Sequence, residues 1–362
     1  MRAHRNALLL ALSFLPVCSR ESDTKPALVT TDAAKDLKNT IVTAHLREKH
    51  QPGKNLLWCA TFQLAWDELS GILKGPVQLK DEPEMAAVLN ARLVTKGDLD
   101  DASYVARAGF GKDRIVEAIR EELNRKFSGA AAPLLVPDPQ SLRPQDIVAY
   151  AYLVKNLTFR IPLLHENEIN VHFMGTPVRT YGLWWEEGIK NKWRDLTQEI
   201  SILDYQSNED FVLELIAGQE MDRLILSRLA PGATLQETIT RVTGRISVAK
   251  PTGLEIEEEF MAPCLNFDLS RNFYEIIGKP IVNPNFDEYF IKSARQNIRF
   301  TLDENGAVLK SEASLGAASA PPKKPRRFIL DGPFLILMMR KGAKMPYFAL
   351  WVENPELLVP AN

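Results

Sequence analysis

The first third of the chain carries apolar residues at the three-to-four-residue spacing that is typical of amphipathic helices. In the clearest case Ile115, Ile119 and Leu123 fall on one helical face among charged neighbours. A nearly uninterrupted apolar run over 55–73 is typical of a helix that is buried on all sides. The hydrophobic pattern therefore predicts helices over residues 24–48, 55–73, 81–94 and 111–127.

Beyond residue 169 the pattern changes to short apolar stretches separated by turn-forming residues, which is typical of β-strands. Helical spacing returns over 219–229 and 234–242, and residues 146–163 pass from a helical into a strand-like pattern. Helices first and strands later predict an α+β fold built around large sheets. The predicted strands read EINVHFMG, PVRTYGLWW, EISILDY, DFVLELIAG, GRISVAKP, EIEEEFMAP, RQNIRFTLDENG, GPFLILMMR and PYFALWVEN.

The amino terminus has a pattern of its own. Arg2 and Arg5 precede the apolar stretch NALLLALSFLPVC, which is too short to span a bilayer, and the polar SRESDTK follows. This pattern predicts that residues 1–22 are a signal peptide or lipoprotein signal. Apart from a long loop near the carboxyl end, no Pro-, Gly- or Ser-rich linker divides the rest, so 23–362 are expected to form a single domain. Cys18 is the candidate lipidation residue. We therefore expect a protein that is secreted, periplasmic or lipid-anchored at the cell envelope, with membrane contact only through this lipid.

Composition and motifs exclude several classes of function. Forty-four Lys and Arg against forty-six Asp and Glu give a net charge of -2, which does not favour nucleic acid as a partner. Cys59 and Cys264 lie among apolar neighbours and are expected to be buried free thiols. The sequence has no metal-ligand spacing and no cofactor motif. GFGKDR at 109–114 resembles a nucleotide-binding loop, but no predicted strand precedes it. The chain is not expected to be an enzyme.

One long stretch near the carboxyl end has almost nothing to bury. It follows RQNIRFTLDENG, precedes GPFLILMMR and consists mainly of Ala, Ser, Pro, Lys and Arg. A loop of this length without a core of its own is usually functional or disordered. Its basic end, PPKKPRR, is also typical of a solvated, protease-sensitive tether or of a patch that binds polyanions.

The segments on both sides of this stretch resemble a known family. FILDGPFLILMM and MPYFALWVENP resemble the closing strands of the serpin superfamily, and FDEYFIKSARQNIRFTLDENGA resembles the strand that leads into its reactive-centre loop. ISVAKPTGLEIEEEFMAPCLNF, YLVKNLTFRIPL and NLLWCATFQLAWDEL resemble other serpin segments in the same order. The resemblance runs from about residue 35 to 357. It implies amino-terminal helices packed on a large central, mostly antiparallel sheet, and an exposed bait-type loop over 307–327.

The resemblance also implies a mechanism for inhibitory members of the family. A serine protease cuts the loop and becomes covalently attached, and the freed segment then inserts as a new strand into the central sheet. The hinge positions implied for this chain are Glu304, Gly306, Ala307, Val308 and Leu309. Alternate residues of an inserted strand face opposite sides, and the family's pattern places Leu309 on the side that faces the core, so insertion would not bury a charged side chain. The family's run of small hinge residues is, however, missing.

The position of the bait is open between three bonds. Family spacing places the scissile bond at Ala320-Pro321, where the proline would block most proteases. A trypsin-like enzyme would instead cut at Lys323-Lys324 or Arg326-Arg327. The candidate scissile residues are therefore Ala320, Pro321, Lys323, Lys324, Arg326 and Arg327.

A second set of residues matches the polar cluster through which serpins open their central sheet. The equivalent positions in this chain are Cys59, Phe62, Lys155, Asn156 and Gln296, and none keeps the residue of the family. Cys59 and Phe62 predict an apolar plug in place of a hydrogen-bonded gate. We therefore expect a non-inhibitory or degenerate serpin-like interaction protein. The alternative is a serine protease inhibitor that acts by loop cleavage and insertion.

Overall fold

The computed structural model describes residues 29–31, 37–127, 135–165, 169–190, 192–218, 221–306 and 325–361. Its helices are α1 (Thr61–Leu73), α2 (Glu84–Asn90), α3 (Ile115–Phe127), α4 (Trp193–Thr197) and α5 (Leu235–Ser247). Its strands are β1 (Val29–Thr31), β2 (Thr40–Thr43), β3 (Asn55–Cys59), β4 (Tyr104–Phe110), β5 (Ile147–Leu153), β6 (Val171–Phe173), β7 (Thr176–Val178), β8 (Thr180–Leu183), β9 (Ile200–Ser207), β10 (Asp210–Leu215), β11 (Asp222–Arg228), β12 (Glu259–Pro263), β13 (Leu265–Asn272), β14 (Arg295–Leu302), β15 (Arg327–Ile329), β16 (Phe334–Arg340) and β17 (Phe348–Val352).

The largest sheet has seven strands in the order β2-β3-β17-β16-β11-β10-β9. All neighbouring strands in it are antiparallel except the pair β2 and β3. Its inner strands are buried on both faces, as in β3 and β17, where every residue is buried. Because neither face meets water, these strands have no polar alternation and read as continuous apolar runs. The predicted α+β class with a large, mostly antiparallel sheet is confirmed.

Three of the four smaller sheets in the described residues contain the strands that flank the long loop or lie beside them. β14 pairs with β13, which pairs with β1, while β5 pairs with β4 in a separate two-stranded sheet. β15, which follows the loop, pairs with β12, and β12 also pairs with β8. Helix α1 packs against β4, β5 and β14, so one helix supports both β5 and β14 although these two strands are not paired with each other. Within the described ranges, no helix is both long and apolar enough to cross a membrane.

The structure corrects five of the predicted elements. Residues 24–48 contain the strands β1 and β2 instead of a helix, and 55–73 begins as β3 before α1 starts. The predicted helix over 219–229 is β11, an inner strand of the seven-stranded sheet, and 146–163 contains the strand β5 without a preceding helix. GRISVAKP is mainly the last turn of α5. Short buried apolar runs look alike in helices and strands, so the pattern alone could not separate them.

Candidate functional site

The candidate site consists of the two roots of the long loop, which we call the entry root (Asp303–Gly306) and the exit root (residues 325–327). The entry root follows β14, and the exit root leads into β15. Both roots are tied to one continuous segment, because β14 pairs with β13 and β15 pairs with β12, the strand just before β13. The predicted hinge and scissile residues Ala307, Val308, Leu309, Ala320, Pro321, Lys323 and Lys324 lie outside the described residues, as does Cys18.

An ion pair holds the entry root from the side. Nη2 of Arg179, at the residue before β8, donates to both carboxylate oxygens of Glu304 at 2.9 and 3.2 Å. Both side chains are largely buried, at 15% and 17% exposure, so the pair is screened less than a surface ion pair. Nε of Arg179 also donates to His165, which links the ion pair to the segment before β6.

Backbone hydrogen bonds hold the entry root against the segment that follows β5. The amide of Leu163 donates to the carbonyl of Glu304 at 2.9 Å, and the amide of Phe159 donates to the carbonyl of Asn305 at 3.3 Å. The entry root therefore lies beside residues 157–163. At this point the chains that continue β5 and β14 come together.

Gly306 is required by the geometry of the entry root. Its φ of +59° lies in the left-handed region, which is unfavourable for residues with a Cβ. A Cβ at this position would lie 2.5 Å from the amide nitrogen of Phe159 and 2.7 Å from the carbonyl oxygen of Leu157. The glycine thus permits a close backbone approach as well as the turn.

The exit root is held by acidic residues of the β12 segment. Arg326 donates to both oxygens of Glu258, from Nε at 2.5 Å and from Nη2 at 2.9 Å, and its guanidinium lies over the rings of Tyr205 and Phe328. Burial pushes the pKa of Glu258 upwards, but the hydrogen bonds from Arg326 and the amide of Glu255 outweigh this, and the pKa is lowered.

The next residue along the exit root is held in the same way. Arg327 forms an ion pair with Glu259 while the two residues pair as neighbours in β15 and β12, and its amide donates to Asn208 at 3.2 Å. Arg326 and Arg327 are therefore both bonded to neighbouring residues of the fold, and cleavage beside them stays a prediction. Cleavage at Lys323 or Lys324 remains a prediction.

The predicted plug residues Cys59 and Phe62 lie next to a polar contact. Phe62 does pack in an apolar cluster, with its ring 4.4 Å from that of Phe273. Gln296 on β14, however, is buried and donates from Nε2 to the carbonyl of Cys59 at 2.9 Å and to the hydroxyl of Thr61 at 2.8 Å. An amide therefore ties β14 to the beginning of α1 beside the two residues for which the apolar plug was predicted.

Lys155 forms the other polar contact among the gate-equivalent positions. Its side chain is 6% exposed, and Nζ lies 2.6 Å from Oδ2 of Asp222, the first residue of β11. The ammonium also lies 5.8 Å from the ring centre of Tyr347. Burial raises the pKa of Tyr347, and the nearby Asp222 raises it further, so this phenol stays neutral. Asn156, the residue after Lys155, is exposed.

GFGKDR does connect a strand with a helix, contrary to the sequence prediction, because its first two residues end β4 and α3 follows it. The amides of Gly111 and Lys112 donate to the carbonyls of Asp146 and Pro144, both at 2.8 Å. A Cβ on Gly111 would lie 2.3 Å from the carbonyl oxygen of Arg143. The glycine thus admits a neighbouring backbone segment, and these amides are already used within the fold.

Sequence reasoning missed Arg179, His165 and the role of Glu258. The first two lie more than a hundred residues before Glu304, so no local pattern connects them with the loop. A signal for the exit root did exist, because the basic PPKKPRR and the acidic EIEEEF carry opposite charges. Cys59 and Cys264 are buried free thiols, as predicted.

Comparisons with known proteins find similarity in structure only. No family model and no curated protein matches the sequence. Among solved structures, the chain is similar to Serpin48, described as a highly specific serpin of the insect Tenebrio molitor, at 14% identity and a TM-score of 0.46, covering 82% of this chain and 91% of that one. It is also similar to thyroxine-binding globulin in complex with thyroxine, at 11% identity and a TM-score of 0.48, covering 83% and 93%. The resemblance to serpins noted in the sequence thus recurs among solved structures, at levels that say nothing about activity.

Proposed function

We propose that this chain is a serpin-like protein without catalytic activity that presents the loop over 307–327 to a protein partner. The loop acts as a fixed display segment in this proposal and does not insert into a sheet. The support for this proposal comes from the contacts of the two roots and from the sequence of the loop between them.

The observation that carries the proposal is the anchoring of both roots by partly or largely buried ion pairs. Glu304 is held by Arg179, and Arg326 is held by Glu258. Insertion of the loop as a strand would draw the entry root away from Arg179 and from the amides of Phe159 and Leu163. Breaking a buried pair leaves uncompensated charges, which costs about 3–5 kcal/mol. Such a cost opposes insertion.

The test uses a variant in which residues 308–322 are replaced by a Gly-Ser linker of the same length. Both roots are retained, so we expect unchanged urea unfolding. A partner that crosslinks to the wild-type protein should no longer crosslink to the variant. If such a partner binds both proteins equally, the loop is not the binding segment and the proposal fails.

A second candidate, a serine protease inhibitor that acts by insertion, is favoured by one observation. β5 and β14 rest on the same helix, α1, and are not paired with each other, so each has an edge that another strand could use. Incubation with trypsin-like proteases distinguishes the candidates. We expect cleavage at Lys323 or Lys324 followed by release of the protease. A covalent adduct that survives SDS would instead support the inhibitor.

We also propose that the protein is exported and anchored through Cys18. Support comes from the basic start, the short apolar stretch and the cysteine at its end. In cells that express the full chain, the wild-type protein should be found in the membrane fraction and Cys18→Ser should be released from it. Equal distribution of the two proteins would contradict the anchor.

A further inference from the structure

The histidine beside the entry root has its protonation state fixed by its two partners. Nδ1 of His165 lies 2.7 Å from the carbonyl oxygen of Thr180, which can only accept a hydrogen bond. Nε2 lies 3.1 Å from Nε of Arg179, which can only donate. Nδ1 must therefore carry the proton and Nε2 must be the acceptor. The arrangement requires a neutral imidazole.

Arg179 connects this imidazole with the loop. It donates to His165 through Nε and to the carboxylate of Glu304 through Nη2, at 2.9 Å to the nearer oxygen. The carbonyl of Glu304 in turn accepts the amide of Leu163. A change in the protonation of the imidazole is therefore transmitted to the entry root by the side chain of Arg179.

Protonation of Nε2 would place two donors against each other. Neither the Nε2–H of an imidazolium nor the Nε–H of Arg179 can accept a hydrogen bond, and both groups would be cationic. Arg179 would have to move away or rotate, and the carboxylate of Glu304 would then be shared between two cations. Either change alters the geometry that holds the entry root.

Among the described residues, the other ionisable groups around Arg179 do not take the place of His165 as the acceptor for its Nε. Burial raises the pKa of Asp303, whose carboxylate accepts the amide of Asn305. Burial also raises the pKa of the Cys264 thiol, which therefore stays neutral. Nη1 of Arg179 is buried without a hydrogen-bond partner among the described residues. Glu166 and Glu168, which follow His165 in the chain, lie outside the described residues.

We infer that His165, Arg179 and Glu304 form a pH-sensitive clamp that holds the entry root at neutral pH and loosens it in mild acid. Histidine is the side chain that changes charge between about pH 5 and pH 8. The clamp acts on the root itself, so it operates whether the loop displays a binding segment or inhibits a protease. Its effect would be to release the entry root in an acidic environment.

Amide hydrogen exchange of Leu163 and Phe159 tests the clamp, because both amides bond to the entry root. After correction for intrinsic exchange, their protection should fall about tenfold from pH 7.5 to pH 5.5, as expected when one hydrogen bond to a charged group is lost. In His165→Gln a side-chain oxygen that does not titrate can still accept from Arg179, so protection should not depend on pH. Amides of β10 serve as the control in both proteins.

A pH-independent protection in the wild type, or an equal fall in His165→Gln, would overturn the inference. A second measurement does not need the variant. Nitrogen-15 spectra of the wild-type imidazole at neutral pH should report the tautomer that is protonated at Nδ1. If the Nε2-protonated tautomer or the imidazolium predominates at neutral pH, the clamp does not exist as described. Loss of partner binding by the Gly-Ser loop variant would leave this test unaffected.

Discussion

Lys155 and Asp222 form a buried ion pair, with Nζ and Oδ2 2.6 Å apart and side chains that are 6% and 1% exposed. The pair joins the chain just after β5 to the first residue of β11, so it fastens the small sheet of β4 and β5 to the seven-stranded sheet. A buried pair of this kind contributes little when compared with an apolar pair, but removing one partner is costly.

The ion pair gives a first prediction. Lys155→Met should lower the free energy of unfolding by about 3–5 kcal/mol, because the carboxylate of Asp222 would remain buried without its cation. The double variant Lys155→Met/Asp222→Asn removes both charges and should regain most of this loss. Urea unfolding of the two variants checks the prediction. A double variant as unstable as the single one would show that packing, not charge, dominates at this position.

The second prediction concerns the glycine of the entry root. Gly306→Ala should destabilise the protein for two reasons, the positive φ and the collision with the amide of Phe159. Gly278→Ala is the matched control, since Gly278 has a φ of +81° but a Cβ there would meet no atom of the described residues within 4 Å. We expect a loss of about 1 kcal/mol for the control from the backbone conformation.

The collision should add about 1–3 kcal/mol to the loss for Gly306→Ala, as overpacking does elsewhere. Equal losses in the two alanine variants, measured by urea unfolding, would mean that the approach of Gly306 to residues 157–159 is looser than described.

The third prediction tests the amide that ties β14 to α1. Gln296→Met keeps the shape of the side chain but removes both hydrogen bonds, to the Cys59 carbonyl and the Thr61 hydroxyl. Because the Cys59 carbonyl and the Thr61 hydroxyl lose a hydrogen-bond partner, the free energy of unfolding should fall by about 1–3 kcal/mol. Gln78→Met, at an exposed position, should change stability by less than about 0.5 kcal/mol. Similar effects at both positions would argue against a structural role for the Gln296 amide.

The fourth prediction is a pH dependence at the exit root. The folded-state pKa of Glu258 is lowered from its ordinary value of 4.5, so its pair with Arg326 stabilises the fold above that value. This contribution should be lost as the pH falls through the folded-state pKa, because the carboxyl is then protonated in both states. The difference in stability between wild type and Arg326→Gln should be constant from about pH 6 to pH 8 and shrink below pH 4.

Thermal unfolding of the two proteins over this range gives the measurement. Asp204 also has a lowered pKa and is bonded to Arg245, so an Arg245→Gln variant provides an independent pair of the same kind. If the difference in stability between the wild type and Arg326→Gln grew as the pH falls, this would contradict a lowered pKa of Glu258.

Much of the fold could be predicted where the hydrophobic pattern was long and periodic. Ile115, Ile119 and Leu123 line one face of α3 and are buried, as their spacing indicated. The pattern failed where both faces of an element are covered, as in β3 and β11, because buried runs lose their period. The wrong helix over 24–48 is instead two short strands that add to the edges of two different sheets, which no local signal could indicate.

The residues of the candidate site could likewise be predicted only in part. Glu304 and Gly306, which the resemblance singled out, lie just after β14, where local sequence is informative. The residues that hold them could not be found, because Arg179 is separated from Glu304 by 125 positions and only the packing of the sheets brings them together. Gln296 was recognised by position, but its partners belong to the start of α1 and follow from the tertiary structure.

The central claim is that both roots hold the loop in place and prevent its insertion. Trypsin nicking followed by thermal unfolding tests this claim most directly, with a single cut at Lys323 or Lys324 verified by mass and a Lys323→Gln/Lys324→Gln variant as the control for other cuts. We predict that the nicked protein unfolds within about 4 °C of the intact one, a difference of about 1 kcal/mol or less. A rise of more than about 10 °C would mean that the freed segment has entered a sheet, and it would contradict the account.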